Sequence, residues 1–301
     1  TFINEVSEDI ANLKGRVDGL EVKQNEFEAG GFSDTTTLDG KAVFALMGTD
    51  HSKDKLLGDE SSDGRDSLAA AYQYTMNLNS SFTGDDNLYV RIRTGNGHGN
   101  FVNKEFGTYL SMGSGYSDEL HVDKIWYTFP VGESNTVWVG PKIENYYMHA
   151  TTPSIYKPVT KQFTLGGNGE AYGASTDSGA GWAYKNDNGF ALSSNVVSKQ
   201  NGGGKGLLTA EAATSWATQV GYTTDQWSVS AILNQKYNGW SDTYYHSLGH
   251  SPSPACTTCN YTAVGIRSWW RPVETGTAMP SISLGFDGTN YDAATAASDL
   301  S

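Results

Sequence analysis

The densest candidate for chemistry in this chain is Cys256-Thr257-Thr258-Cys259, preceded by His246 and His250. The order H-x3-H-x5-C-x2-C offers two imidazoles and two thiolates, a donor set that can close a tetrahedron around zinc. The competing chemistry is a disulfide between Cys256 and Cys259, the default for a loop facing an oxidising exterior. A lone C-x2-C has no second pair, so the disulfide is the reading adopted, and no metal or other cofactor is expected. No G-x-S-x-G, HExxH or P-loop occurs. Asn96-Gly97-His98-Gly99-Asn100 carries one His in a Gly-rich stretch and reads as a turn. The chain is not expected to be an enzyme.

A second group of residues has charge without a catalytic partner. Lys41, Arg91, Arg93, Lys236, Arg267 and Arg271 fall on the polar side of alternating segments, with Asp39 and Asp123 opposing them. Basic side chains ringing a narrow lumen favour anions. The alternative, which stays open, is that they pair with carboxylates of an inserted loop and fix its position. The stretch 144–180 contains Tyr146, Tyr147, His149, Tyr156, Lys157, Lys161 and Glu170. That mix suits a constriction inside a pore, and an ordinary surface loop is the alternative.

The segments that must position these residues alternate with period two from Thr35 onward. Ala70, Tyr72, Tyr74, Met76 and Leu78 interleave with Gln73, Thr75, Asn77 and Asn79. Trp227, Val229, Ala231 and Leu233 interleave with Ser228, Ser230, Asn234 and Lys236. Eleven strands are expected, at about 37–48, 68–82, 87–94, 119–131, 136–143, 181–186, 190–199, 214–224, 227–238, 261–273 and 280–286. The alternation slips near Lys124, which marks a bulge. A tilted strand needs about nine to eleven residues to cross a bilayer, whereas strands of soluble proteins average about five or six.

The connections sort by length. Those at 83–86, 132–135, 187–189, 225–226 and 274–279 are short, and those at 49–67, 95–118, 144–180, 200–213 and 239–260 are long. They alternate along the chain, as do the periplasmic turns and outer loops of a transmembrane barrel. Trp126, Trp138, Trp182, Trp216, Trp227, Trp240 and Trp270 read as an interfacial girdle, with sugar stacking inside a pore as the alternative.

Charged residues make up 18 % of the chain, below the roughly one quarter usual in soluble domains. The longest apolar run, Ala42 to Met47, is too short for a transmembrane helix. The net charge of −13 argues against a nucleic-acid partner. Much of it lies in one stretch, at Asp50, Asp54, Asp59, Glu60, Asp63 and Asp66, which lacks EF-hand spacing and reads as a solvated surface loop.

Ahead of the strands, Ile3, Val6, Ile10, Leu13, Val17, Leu20, Gln24 and Phe27 follow the a/d spacing of a coiled coil. β-Branched residues at a with Leu at d lean toward two strands. Gly15 and Gly19 each cost roughly 1 kcal/mol of helix propensity, so the helix should hold only when tied to partners. Gly30-Gly31 ends it. The expected organisation is a coiled-coil stalk over 1–30, on the periplasmic side of the short turns, and a barrel over 31–301. The chain starts inside a heptad and closes on an Ala/Thr/Ser stretch, so further sequence is expected on both sides.

Leu13-Lys14-Gly15-Arg16-Val17-Asp18-Gly19-Leu20-Glu21, followed by Phe32-Ser33-Asp34-Thr35-Thr36-Thr37-Leu38-Asp39-Gly40, resembles the junction found in cyanobacterial outer-membrane porins. That family is also described as iron uptake porins and is related to carbohydrate-selective porins. About residues 5–48 carry the resemblance, and the rest agrees in architecture. It implies an all-β fold, an antiparallel transmembrane barrel of about sixteen strands preceded by a short coiled-coil helix. About eleven of those strands lie in this chain. It also implies a homotrimer in outer-membrane lipid, with an upstream surface-layer-homology domain that binds peptidoglycan or the cell-wall layer. In such trimers the third outer loop, here 144–180, folds into the barrel. The expected function is passive diffusion of inorganic ions and small solutes. The alternative is a surface-exposed structural or adhesive β-protein with an oligomerising stalk and no water-filled lumen.

Overall fold

The computed structural model describes residues 10, 12–21, 35–48, 68–97, 118–155, 170–173, 176–199, 206–207, 209, 211–240, 260–273 and 279–292. Within them, eleven antiparallel strands form one sheet in sequence order. They are β1 (Thr36–Gly48), β2 (Leu68–Ser80), β3 (Asn87–Gly95), β4 (His121–Val131), β5 (Asn135–Ile143), β6 (Asp177–Lys185), β7 (Phe190–Ser198), β8 (Thr214–Thr223), β9 (Trp227–Tyr237), β10 (Tyr261–Trp270) and β11 (Ile282–Tyr291). Each strand pairs with its sequence neighbours, so every connection is a hairpin.

The sheet is inverted relative to a water-soluble sandwich. Tyr74, Val139, Trp182, Trp216, Val220, Val229, Leu233, Val264 and Ile266 are exposed on one face. Gln73, Thr75, Ser193, Asn195, Ser215, Gln219, Ser230 and Asn234 are buried on the other. An outer apolar face is stable only against hydrocarbon, where strand pairing satisfies the backbone groups that lipid cannot. No helix among the described residues is long and apolar enough to cross a membrane, so the crossing is made by strands.

The slip near Lys124 is a bulge. Arg91 faces Lys124 and Ile92 faces Val122, which leaves Asp123 as the extra residue of β4. The bulge aims two consecutive side chains, Asp123 and Lys124, toward the inner face.

Some strand ends differ from those expected. β2 stops at Ser80 because the next amides turn to a side chain: Asp86 accepts from Phe82 N at 2.9 Å and Thr83 N at 2.7 Å. The Tyr127 hydroxyl donates to the same carboxylate at 2.5 Å. This bond and the turn's other donors hold the Asp86 carboxyl well below the usual carboxylate range. β6 starts at Asp177, before the expected Gly181, and β11 runs on to Tyr291. Both extensions contain Gly and Asp, residues of poor strand propensity that tertiary contacts hold in place. β10 ends at Trp270, which leaves Arg271 outside the strand.

Of the stalk, residue 10 and residues 12–21 are helical, and Ile10, Leu13, Val17 and Leu20 are exposed. Ile3, Val6, Gln24 and Phe27 lie outside the described residues.

Candidate functional site: a segment folded onto the inner wall

After β5 the chain turns inward. Asn145–Met148 form a 3-10 turn that packs on β6, β7 and β8. The wall makes room by losing side chains. A Cβ at Gly181 would lie 2.7 Å from Met148 Sδ, and one at Gly265 would lie 2.8 Å from Ala171 Cβ. Ile143 and Met148 are fully buried with Trp126, Val197, Ala213 and Trp240. The returning limb, 170–173, buries Ala171 and Tyr172 against Ala217, Ile232, Tyr261 and Ala263.

Amide side chains of the wall then fix the segment. Asn145 Nδ2 donates to Asn195 Oδ1 at 2.8 Å and to the Ser215 carbonyl at 3.2 Å. Asn195 Nδ2 lies 3.1 Å from His149 Nδ1, and His149 Nε2 lies 3.1 Å from the Tyr172 carbonyl. The carbonyl must accept, so Nε2 carries the proton and Nδ1 accepts. Burial lowers the His149 pKa to about 4, which keeps the ring neutral. Asn234 Nδ2 donates to the Ala171 carbonyl at 3.0 Å.

Charges on the inner face occur in pairs. Lys236, fully buried on β9, meets Glu170 of the returning limb at 2.8 Å, and the Tyr261 hydroxyl donates to the same carboxylate oxygen at 2.8 Å. Lys124 meets Glu144 at the segment's start at 2.5 Å. Arg267 donates through Nη2 to both oxygens of Asp287, at 2.9 and 2.7 Å, and its guanidinium lies 4.8 Å from the Tyr172 ring centroid. Arg91 bonds Asp123 through Nε at 2.8 Å and Nη2 at 2.5 Å, and Arg93 shares that carboxylate at 3.6 Å.

The aromatic residues of the segment continue a stack on the wall. Ring centroids are 4.3 Å apart for Tyr89–Trp126, 4.8 Å for Trp126–Tyr147 and 4.2 Å for Tyr147–Tyr146. Arg91 Nη1 reaches the Tyr147 hydroxyl at 3.4 Å. Burial, with Glu144 nearby, pushes the Tyr147 phenol up to about 12.

The residues singled out from sequence divide accordingly. Tyr146, Tyr147 and His149 sit together on the wall. Arg91 and Arg93 form one cluster around Asp123. Lys236 and Arg267 are buried in ion pairs instead of facing water, and Lys41 is exposed on β1. Arg271 donates to the Asp225 carbonyl at 2.6 Å, which places it at the short-turn rim. Tyr156, Lys157, Lys161, His246, His250, Cys256 and Cys259 lie outside the described residues. Trp182, Trp216, Trp227 and Trp270 are exposed on the outer face. Trp126 and Trp240 are buried inside, so they leave the expected girdle. Asn195 and Gln219 look in the sequence like any polar strand residue, Lys124 and Asn234 are marked there only as a bulge and a polar strand position, and nothing sets Tyr172 apart within 144–180.

Residues 2–273 match the family described as carbohydrate-selective porin, OprB family. The chain is 29 % identical to the Nostoc sp. protein alr4550 over 66 % of this chain and 34 % of that one. It is 30 % identical to the Synechocystis sp. protein sll0772 over 44 % of this chain and 23 % of that one. It thus spans about a third or less of the length of these relatives. In the high-pH structure of Pseudomonas putida OprB, a similar fold covers 90 % of this chain and 69 % of that chain, at TM-score 0.52 and 10 % identity. With an inverted sheet of membrane-length hairpins and a family match through almost all of it, this chain belongs to the carbohydrate-selective porin, OprB family, and its strands are those of an outer-membrane barrel.

Proposed function

We propose that the protein is a passive diffusion channel for inorganic ions and small solutes, narrowed by residues 144–180. The observation that carries this reading is the docking of 144–155 and 170–173 on the polar inner face, with His149 and Glu170 as anchors. Arg91, Arg93 and Lys41 line the lumen in this reading. Two guanidiniums meet one carboxylate at Asp123, and basic side chains in a lumen favour anions. The Lys124, Lys236 and Arg267 pairs hold the wall and contribute little net field. Tyr156, Lys157 and Lys161 complete the constriction, and Cys256 and Cys259 close a disulfide in the fifth long loop. Chains associate as trimers through the 1–30 seam, and an upstream domain holds them to the cell-wall layer.

A second reading, sugar passage, is favoured by the Tyr89–Trp126–Tyr147–Tyr146 stack. Aromatic faces beside the hydrogen-bonding groups of Arg91 and Asp123 suit a pyranose ring. It also agrees with the family's description. Single-channel current with and without added neutral sugar tests both readings. Steps that persist and are blocked by sugar support carbohydrate passage, steps that sugar leaves unchanged support ion and small-solute diffusion alone, and an absence of steps contradicts both.

A further inference from the structure

One side chain of the β8 wall reaches both the outgoing and the returning limb of the inserted segment. Gln219 is fully buried on the inner face of β8. Its Oε1 accepts from Thr151 N at 3.0 Å, and its Nε2 donates to the Thr151 carbonyl at 3.3 Å and to the Tyr172 hydroxyl at 3.2 Å. Thr151 belongs to the outgoing limb and Tyr172 to the returning one. A primary amide suits this place because it offers a donor and an acceptor side by side, as a neighbouring strand would. Other wall contacts beside it hold a single limb: Ser193 Oγ accepts from Ala150 N at 3.1 Å, and Asn234 serves Ala171.

Two residues along the same face, Gly221 supplies a matching gap. A Cβ there would lie 2.6 Å from Thr151 Cγ2 and 3.2 Å from Thr151 Oγ1. Ser230 Cβ, on the neighbouring β9, would lie 3.0 Å from the same Cβ and closes the other side of the gap. β8 therefore presents an amide and, beside it, a bare Cα, and Thr151 sits in the notch between them.

We infer that Gln219 and Gly221 are positioning residues that set the bore of the channel, by fixing how far the inserted segment stands off the β8 wall. The inference rests on the reading that this segment narrows a channel. A methyl group at residue 221 presses on Thr151 from the wall side and displaces it toward the lumen, because the β8 backbone is held on both sides by β7 and β9. Loss of the amide at residue 219 removes one anchor from each limb at once. The first change narrows the bore, and the second makes it fluctuate.

The test is single-channel recording of the purified protein in planar bilayers, comparing wild type, Gly221→Ala, Gln219→Ala, Gln219→Glu and Val220→Ala. Gln219→Glu is nearly isosteric, yet its carboxylate loses both donors. Val220 faces outward and serves as the control. The expected result is a smaller unitary step for Gly221→Ala and added open-channel flicker for both Gln219 variants, with Val220→Ala unchanged. Wild-type step size and noise in all variants would overturn the inference, even if their melting temperatures fall, since that pattern marks a merely structural role. A silent wild type would remove the channel reading itself and this inference with it, a result distinct from a conducting wild type with unaltered variants.

Discussion

Asn195 presents its Nδ2 to His149 Nδ1 at 3.1 Å, and its orientation is fixed because its Oδ1 already accepts from Asn145 at 2.8 Å. The ring's other nitrogen serves the Tyr172 carbonyl. One neutral tautomer therefore ties the outgoing limb to β7 and to the returning limb, and a second proton on the ring would meet a donor instead of an acceptor.

The consequence is acid sensitivity. Burial depresses the folded pKa of His149 to about 4, from a usual value of 6.5. The docked form thus binds fewer protons than the undocked form, and docking is weakened as pH falls from 6.5 toward 4. Above 6.5 the contribution is complete. Glu144 and Glu170 also anchor the segment, through Lys124 and Lys236. Open-channel noise should grow over this window in the wild type. His149→Gln should flatten the rise across this window, and noise that rises identically in both proteins would show that His149 is not its source.

The Lys236–Glu170 pair should behave as a buried ion pair does. Lys236→Met leaves a buried carboxylate without its cation and should destabilise the docked protein by about 3–5 kcal/mol. Adding Glu170→Gln should restore most of this loss, since the amide can still accept from Tyr261. Thermal unfolding in detergent reads both, and equal melting temperatures for single and double variants would show that the charges are not coupled.

The outer face should reject charge. Val229→Arg should cost about 2–4 kcal/mol near the bilayer midplane, and Val229→Ile should be near neutral. The measurement is folding yield in lipid vesicles across a denaturant series. Equal yields for the two variants would mean that Val229 does not face hydrocarbon.

Selectivity should respond to one carboxylate. Asp123→Asn removes the carboxylate that Arg91 and Arg93 share and should shift the reversal potential in a salt gradient toward anions. Arg91→Ala with Arg93→Ala should shift it toward cations. Unaltered reversal potentials in both would place the selecting field elsewhere.

The strands were legible because each side chain answers to lipid on one face and lumen on the other, which imposes period two with little ambiguity. The slip at Lys124 was legible for the same reason, as a fault in that period. The ends of β6 and β11 were not, because Gly179 and Gly181 are shaped by the segment above them and Asp287 by Arg267. The basic inner residues were visible, but their partners were not. Lys236 and Glu170 are separated by 66 positions, and nothing local to either one announces the other. Gln219 and Asn234 look like any polar lumen residue until the inserted segment is laid across them.

The central claim is a water-filled bore narrowed from within, and single-channel recording of the purified protein in a planar bilayer addresses it most directly. The account predicts discrete, ohmic current steps that are stable at neutral pH. It predicts that their noise rises when the segment's anchors, His149 or Gln219, are altered. A protein that inserts stably into the bilayer yet passes no current would contradict it.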